Sequence, residues 1–287
     1  MRCLVARFLA MLPLALILAG CGADLYEERL GNTRILFAHM QLLNEHLQGR
    51  WTDPETGVSL RPPLQFGLLA PPVKPQKATD AQGKPADGEA GNDTEEEEIH
   101  DDRQPKYLNV ELPGLRGAFQ AQIKYIGDNN LDAVGDAWLY VMTNHDLAEQ
   151  VEQAKTFNQD FVKSLAEAAH VSPPEADKFE SIEYPRVPKR MPGVPSSGPF
   201  VKPVKYTAVT INPPEAIDGM ERQFSLYLHE QGDIQVIVLF VLPQNVATSE
   251  RFSERIPLCL ETLEVAGDRL SLPSPGNIGG GATAPSF

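Results

Sequence analysis

The stretch "DIQVIVLFVLP" constrains the fold more than any other. From Ile234 to Leu242 only Gln235 interrupts a run of apolar residues, many of them β-branched. Such a run suits extended backbone, and a strand apolar on both faces belongs in the middle of a sheet, covered from both sides. Gln231-Gly232-Asp233 just before it is a hairpin turn, which makes "ERQFSLYLHE" its antiparallel neighbour. "KYTAVTINPP" reads as a third strand ahead of these two.

The middle of the chain repeats the pattern. In "GAFQAQIKYIG", Phe119, Ala121, Ile123 and Tyr125 alternate with Gln120, Gln122 and Lys124. That period of two marks a half-buried strand. "KYLNVELPG" alternates in the same way from Tyr107 to Leu112, and "DAWLYVMTN" gives a strand over Ala137 to Thr143. Asn144 or Asp146 then caps a helix in which Leu147, Val151, Ala154, Phe161 and Leu165 keep helical spacing and Phe157 widens the apolar face. A last helix starts at Ser249. Phe252 stands where a capping box needs an acid or amide, and Pro257 should bend or shorten the helix.

Before these strands, residues 21–49 read as one amphipathic helix. Leu36, Met40, Leu43 and Leu47 draw an apolar stripe, Tyr26, Leu30 and Phe37 extend it upstream, and Gly49 can end it. His39 and His46 lie seven apart and share a face; no acid at metal-ligand spacing accompanies them, so they are read as ordinary helix residues. Trp51 is expected at the domain edge, with turns at Asp53-Pro54 and Thr56-Gly57 and a short strand over Val58 to Leu60. Two stretches break the pattern. Residues 71–105 hold Glu95 to Glu98 and Asp101-Asp102 with almost no large apolar side chain, and read as a disordered acidic insertion. Residues 172–203 are proline-rich and basic and read as a second insertion of extended geometry. Residues 266–287 read as a flexible tail. Strands joined by tight turns, with helices packed on them, predict a single α+β domain over 50–265 built on a mostly antiparallel sheet.

Two resemblances attach to particular residues. The segment Trp51-x-x-Pro54-x-x-Gly57-x-Ser59-Leu60 resembles the PsbP/Mog1-like fold. The closing order of Gln223–Glu230, Ile234–Leu242 and a last helix ending in Leu263-Glu264-Val265 does so too. Proteins of that fold are mostly binding and assembly proteins, so the resemblance implies a non-catalytic role. At the N-terminus, Arg2 and Arg7 precede a short apolar run that ends in Leu18-Ala19-Gly20-Cys21. The run is too short to span a bilayer and has the flanks of a signal peptide. Its last four residues resemble the bacterial lipobox. That resemblance implies that residues 1–20 are removed and that Cys21 carries a diacylglycerol, whose two chains would anchor the protein stably in a membrane. The whole chain also resembles uncharacterised lipoproteins of planctomycete-type bacteria.

Charge and cysteine content narrow the function classes. The net charge is −14, and loss of Arg2 and Arg7 would make the remainder −16. Phosphate backbones repel such a chain, so no nucleic-acid partner is expected. With Cys3 removed and Cys21 acylated, Cys259 stands alone among apolar residues, as a buried inert thiol. No nucleophile elbow, phosphate loop, dinucleotide fingerprint or zinc motif is present, so no cofactor and no metal are expected. His145-Asp146 and His229-Glu230 are the His-acid neighbours of interest. Capping explains the first, and adjacent strand residues face opposite ways in the second. Neither is assigned a catalytic role, and Cys21 is the one site residue assigned. The sequence therefore reads as an exported, lipid-anchored binding or assembly module with an envelope protein as partner. An envelope hydrolase with a scattered site is the alternative.

Overall fold

The structure is a computed structural model that describes residues 26–27, 29–72, 101–127, 130–185 and 203–270. Cys21 with the expected signal peptide, most of both expected insertions and the expected tail beyond 270 lie outside those residues.

The described residues form nine strands: β1 (Trp51–Thr52), β2 (Ser59–Leu60), β3 (Gly67–Leu68), β4 (Leu115–Ile126), β5 (Asp132–Thr143), β6 (Glu180–Tyr184), β7 (Val204–Ile211), β8 (Arg222–Gln231) and β9 (Ile234–Pro243). β1 and β2 form a small hairpin. The other seven form one sheet in the order β3-β4-β5-β9-β8-β7-β6. Every pairing is antiparallel. The apolar run is β9, the fourth strand of seven, and its residues 236–241 are at most 1% exposed. The β8–β9 turn closes with Gln231 paired to Ile234. Gly232 there has φ +61, and a Cβ would sit 1.9 Å from the Asp268 carbonyl oxygen, so both conformation and space require glycine.

Among the described residues three α-helices cover the sheet: α1 over residues 29–46, α2 (Val151–Ala168) and α3 (Phe252–Leu260). The period of two splits the sheet into two cores. On one face Leu139, Val141, Val238 and Phe240 pack with Leu47 at the end of α1, Leu60 of the β1–β2 hairpin and Leu258 of α3. On the other face Tyr140, Met142, Leu239 and Val241 pack with Phe157, Phe161 and Leu165 of α2. This is an α+β fold with a large antiparallel sheet, as the patterning predicts.

Three local expectations are corrected. Residues 106–113 are not a strand. Their alternation serves instead to pack Tyr107, Leu108 and Val110 against the α2-side core and to bury Leu112. Leu112 finds its backbone partners in the Gln104 side-chain amide rather than in a ladder. Glu180–Tyr184, inside the stretch read as the second insertion, is the edge strand β6, with its Tyr184 buried. Five residues flanked by prolines carry too little pattern to stand out. β5 starts five residues earlier than expected, at Asp132, and within it Gly135 faces the Met220 side chain, whose Cε would lie 2.4 Å from an added Cβ.

Helix starts also differ from expectation. The segment after β5 opens with a 3-10 turn, Asn144–Leu147, in which the Thr143 hydroxyl accepts from the His145 backbone N–H; α2 follows from Val151 without a side-chain cap. Pro257 lies inside α3, and Cys259 is buried two residues on, its thiol pushed up by burial and so held in the unreactive protonated form.

Candidate functional site

A grouping of polar and aromatic side chains lies on the α2 side of the sheet. Asp136, Trp138 and Tyr140 alternate along β5 and therefore share that face. Their antiparallel partners across β4 are Gln122, Gln120 and Ala118. The Asp136 carboxylate accepts from the Gln120 amide at 3.1 Å and from the Gln122 amide. Tyr107, carried by the irregular 106–113 segment, lies 4.4 Å from the Trp138 ring, and its hydroxyl meets that of Tyr140 at 3.3 Å.

Arg222 opens β8 and runs beneath these rings. It is 2% exposed. Its guanidinium carbon sits 4.9 Å from the Tyr107 ring centre and 4.7 Å from that of Trp138. Nη1 donates to the Asp136 carbonyl at 3.1 Å and Nε to the Ile217 carbonyl at 3.3 Å. Among the described residues no carboxylate lies within ion-pair distance of it. Burial lowers its pKa, while Tyr107, Asp218 and Asp136 oppose that shift; an arginine nevertheless stays a cation. The rings compensate it in part, because a guanidinium over an aromatic face is attracted by the ring quadrupole. Burial raises the pKa of both Tyr107 and Tyr140, so the hydroxyl pair remains un-ionised.

Above this cluster opens a cleft of about 510 Å³. Trp138, Tyr107 and Tyr140 form its floor, with Gln104, Gln120 and Asp136 at the sides. Asp218 stands at the rim in a tight turn, with φ +54, where Ile217 and Met220 exchange backbone hydrogen bonds. On the opposite rim Arg103 is held by Asp101 at 2.8 Å and Lys106 by Asp102 at 2.7 Å. These residues are the described end of the expected acidic insertion. Among the described residues the lining holds no His, Cys or Ser. The cleft can therefore stack a flat or apolar ligand surface on its rings and hydrogen-bond its polar edge.

His145 and His229 are engaged elsewhere. His145 places Nδ1 3.1 Å from the Thr143 hydroxyl, and burial together with Arg116 lowers its pKa. Its neighbour Asp146 pairs with Arg116 instead. His229 Nδ1 lies 2.8 Å from the Lys205 carbonyl. A carbonyl only accepts, so that nitrogen carries the proton. Glu230 faces the other way and accepts from Asn158 at 3.3 Å.

His39 and His46 both turn toward α3 and the residues after it, and each meets an acid that the sequence spacing did not reveal. His39 Nε2 lies 2.6 Å from Glu261 Oε1, close as an ion pair though poorly aligned as a hydrogen bond. His46 is 1% exposed, with Nε2 3.9 Å from Glu254 and Nδ1 3.5 Å from the Arg255 Nε donor. Burial, then Arg251 and Arg255, lower the His46 pKa below its ordinary 6.5. The folded chain thus binds this proton more weakly than the unfolded chain. The stability His46 contributes is complete above pH 6.5 and is lost as pH falls through 6.5 toward the lowered folded value. His46→Asn is expected to flatten stability against pH in this window, where one group can contribute up to about 1.4 kcal/mol per pH unit. Urea unfolding at pH 7.0, 6.0 and 5.5 checks this; parallel profiles for the two proteins would refute it.

Among the described residues no group of His, Cys, Asp and Glu is arranged to hold a metal ion, and no helix is long and apolar enough to cross a membrane. No family model and no curated protein matches the chain. A crystal structure of a protein from Bacteroides thetaiotaomicron is similar over 76% of this chain at 12% identity, with a TM-score of 0.31. The match covers 48% of that protein, so the chain spans about half its length. A likeness this slight says nothing about function.

Proposed function

We propose that this chain is a lipid-anchored protein of the cell envelope and acts as a non-catalytic binding or assembly module. Diacylglycerol on Cys21 would supply the anchor, and the cleft over Tyr107, Trp138 and Tyr140 would contact the ligand or partner. The observation that carries the reading is the cleft itself. It offers aromatic surface, amides and carboxylates over a buried Arg222, and among the described residues its lining brings no nucleophile and base together. The resemblance of the Trp51–Leu60 segment to PsbP/Mog1-like proteins points the same way, as does the engagement of His145 and His229 with neighbouring hydroxyl and carbonyl groups.

The test uses cells expressing the native chain, Cys21→Ser and Trp138→Ala. Cys21→Ser is expected to leave the membrane fraction. Affinity capture of the native protein, quantified by mass spectrometry, is expected to recover a partner whose yield falls about tenfold in Trp138→Ala, the scale of losing one aromatic anchor. Retention of Cys21→Ser in the membrane would sink the anchor. Turnover of ester, peptide, glycoside or phosphate substrates that is lost in Asp136→Asn would replace the binding reading with the hydrolase.

A further inference from the structure

An ordinary surface helix has one apolar stripe, turned to its core. α1 has two. The inward stripe comprises Leu36, His39, Leu43 and His46, followed by Leu47; of these, Leu43, His46 and Leu47 tie the C-terminal half of the helix to the domain. The second stripe comprises Tyr26, Leu30, Phe37 and Met40, which are 67%, 38%, 65% and 48% exposed. At 3.6 residues per turn these four fall within an arc of about 80°. Arg29 and Arg34 flank that arc on its two sides, both exposed and neither in an ion pair among the described residues. Ile35 and Leu42 lie on the far side of the buried stripe and are not part of it.

We propose that this second stripe lies on the lipid bilayer, so that α1 is an interfacial helix and not merely a spacer between anchor and domain. The inference rests on the lipid anchor at Cys21 proposed above. Tyr26 stands five positions after Cys21, a reach of at most about 18 Å even when fully extended. An acylated Cys21 therefore holds the start of the stripe against the membrane surface. Contact between the stripe and the lipid is then intramolecular in effect, and a modest apolar face suffices. The flanking arginines have the geometry to keep their stems along the apolar boundary while their heads reach phosphate groups. The stripe ends at Met40, about where the helix becomes tied to the domain through His39–Glu261 and Asn44–Arg61. α1 and the aromatic cleft belong to opposite faces of the sheet, so a bilayer on this side leaves the cleft free.

The test supplies the anchor chemically. Residues 21–287 are coupled through the Cys21 thiol to vesicles of phosphatidylethanolamine and phosphatidylglycerol bearing a maleimide headgroup; Cys259 is buried and stays unreacted. Phe37→Trp adds an indole on the stripe, and Ala38→Trp adds one at the same height but turned a quarter of the way round the helix. With brominated acyl chains, the added fluorescence of Phe37→Trp is expected to fall by about half or more, as for a side chain buried about 5–10 Å into the interface, and that of Ala38→Trp much less. Equal quenching in the two proteins, or none in Phe37→Trp, overturns the proposal. So does a dimer of the untethered chain that Phe37→Glu converts to monomer, because a second copy then owns the stripe. Cell fractionation of Cys21→Ser tests the anchor separately, and its failure would leave the vesicle result standing.

Discussion

Replacing Phe240 by alanine is expected to cost about 3–5 kcal/mol, and to lower the thermal midpoint of a domain this size by about 10 °C. Phe240 is fully buried in the central strand. Its ring meets that of Phe66 edge-on at 6.2 Å and that of Tyr227 at 6.1 Å. Leu139 and Ser225 pair with it on the two flanking strands, so hydrogen-bonded ladders hold both sides of the gap open. A cavity there cannot collapse by moving a loop, which places the substitution at the costly end of the range. Val134→Ala is the control. Val134 lies on the same sheet but is 60% exposed at the far end of β5, and its loss is expected to cost under about 0.5 kcal/mol. Circular dichroism melts of the three proteins measure both. Equal midpoints for Phe240→Ala and Val134→Ala would contradict the central position of β9.

The elements that were legible are those whose pattern reports burial directly. β9 announced itself because both its faces are covered, and β4 because one is; Phe119, Ala121 and Ile123 are each at most 4% exposed while Gln122 and Lys124 are exposed. Where a period of two has another cause, it misleads. Leu108, Val110 and Leu112 alternate with Tyr107, Asn109 and Glu111, yet that segment packs as an irregular crossing because Pro113-Gly114 turns it away from the ladder and the Gln104 amide satisfies Leu112. Edge strands fail for the opposite reason. β6 needs only Ile182 and Tyr184 facing inward, and two apolar residues in five are too few to read.

The site was less legible than the fold because its parts are distant in sequence. Tyr107, Trp138 and Arg222 belong to three segments, and no spacing rule links a residue in an irregular loop to the first residue of a strand 115 positions later. One signal was present in the sequence: Arg222 opens a strand whose neighbours are apolar, and an arginine on an inward-facing position must find compensation. The histidine–acid contacts of α1 show the same limit. His39 and His46 share a face as their spacing requires, while Glu254 and Glu261 reach them from a helix more than two hundred residues away.

Arg222→Ala is expected to cost about 3 kcal/mol, because it removes a buried, stacked side chain and takes the donor from a half-buried carbonyl oxygen. That acceptor is the backbone oxygen of Asp136, whereas the Ile217 oxygen keeps its bond from the Met220 N–H. The same change removes the cation from beneath Tyr107 and Trp138, so the 106–113 segment loses a support and the near-ultraviolet circular dichroism of the two rings should weaken. Two further variants separate the contributions. Arg222→Met restores most of the volume but none of the donors, so the gap between Met and Ala measures packing. Arg222→Lys restores the charge, but a single ammonium cannot lie flat against two rings while donating to two carbonyls in a fixed fork. Lys is therefore expected to recover only part of the loss in urea unfolding. If Met matched the parent, the guanidinium would act through packing alone and the cleft floor would keep its shape without the cation. If Lys matched the parent, charge would suffice and the planar fork would be dispensable. The expected ordering, with the parent most stable, Lys and Met between and Ala least, makes the stacked, doubly donating guanidinium the element that fixes the floor on which a ligand would rest.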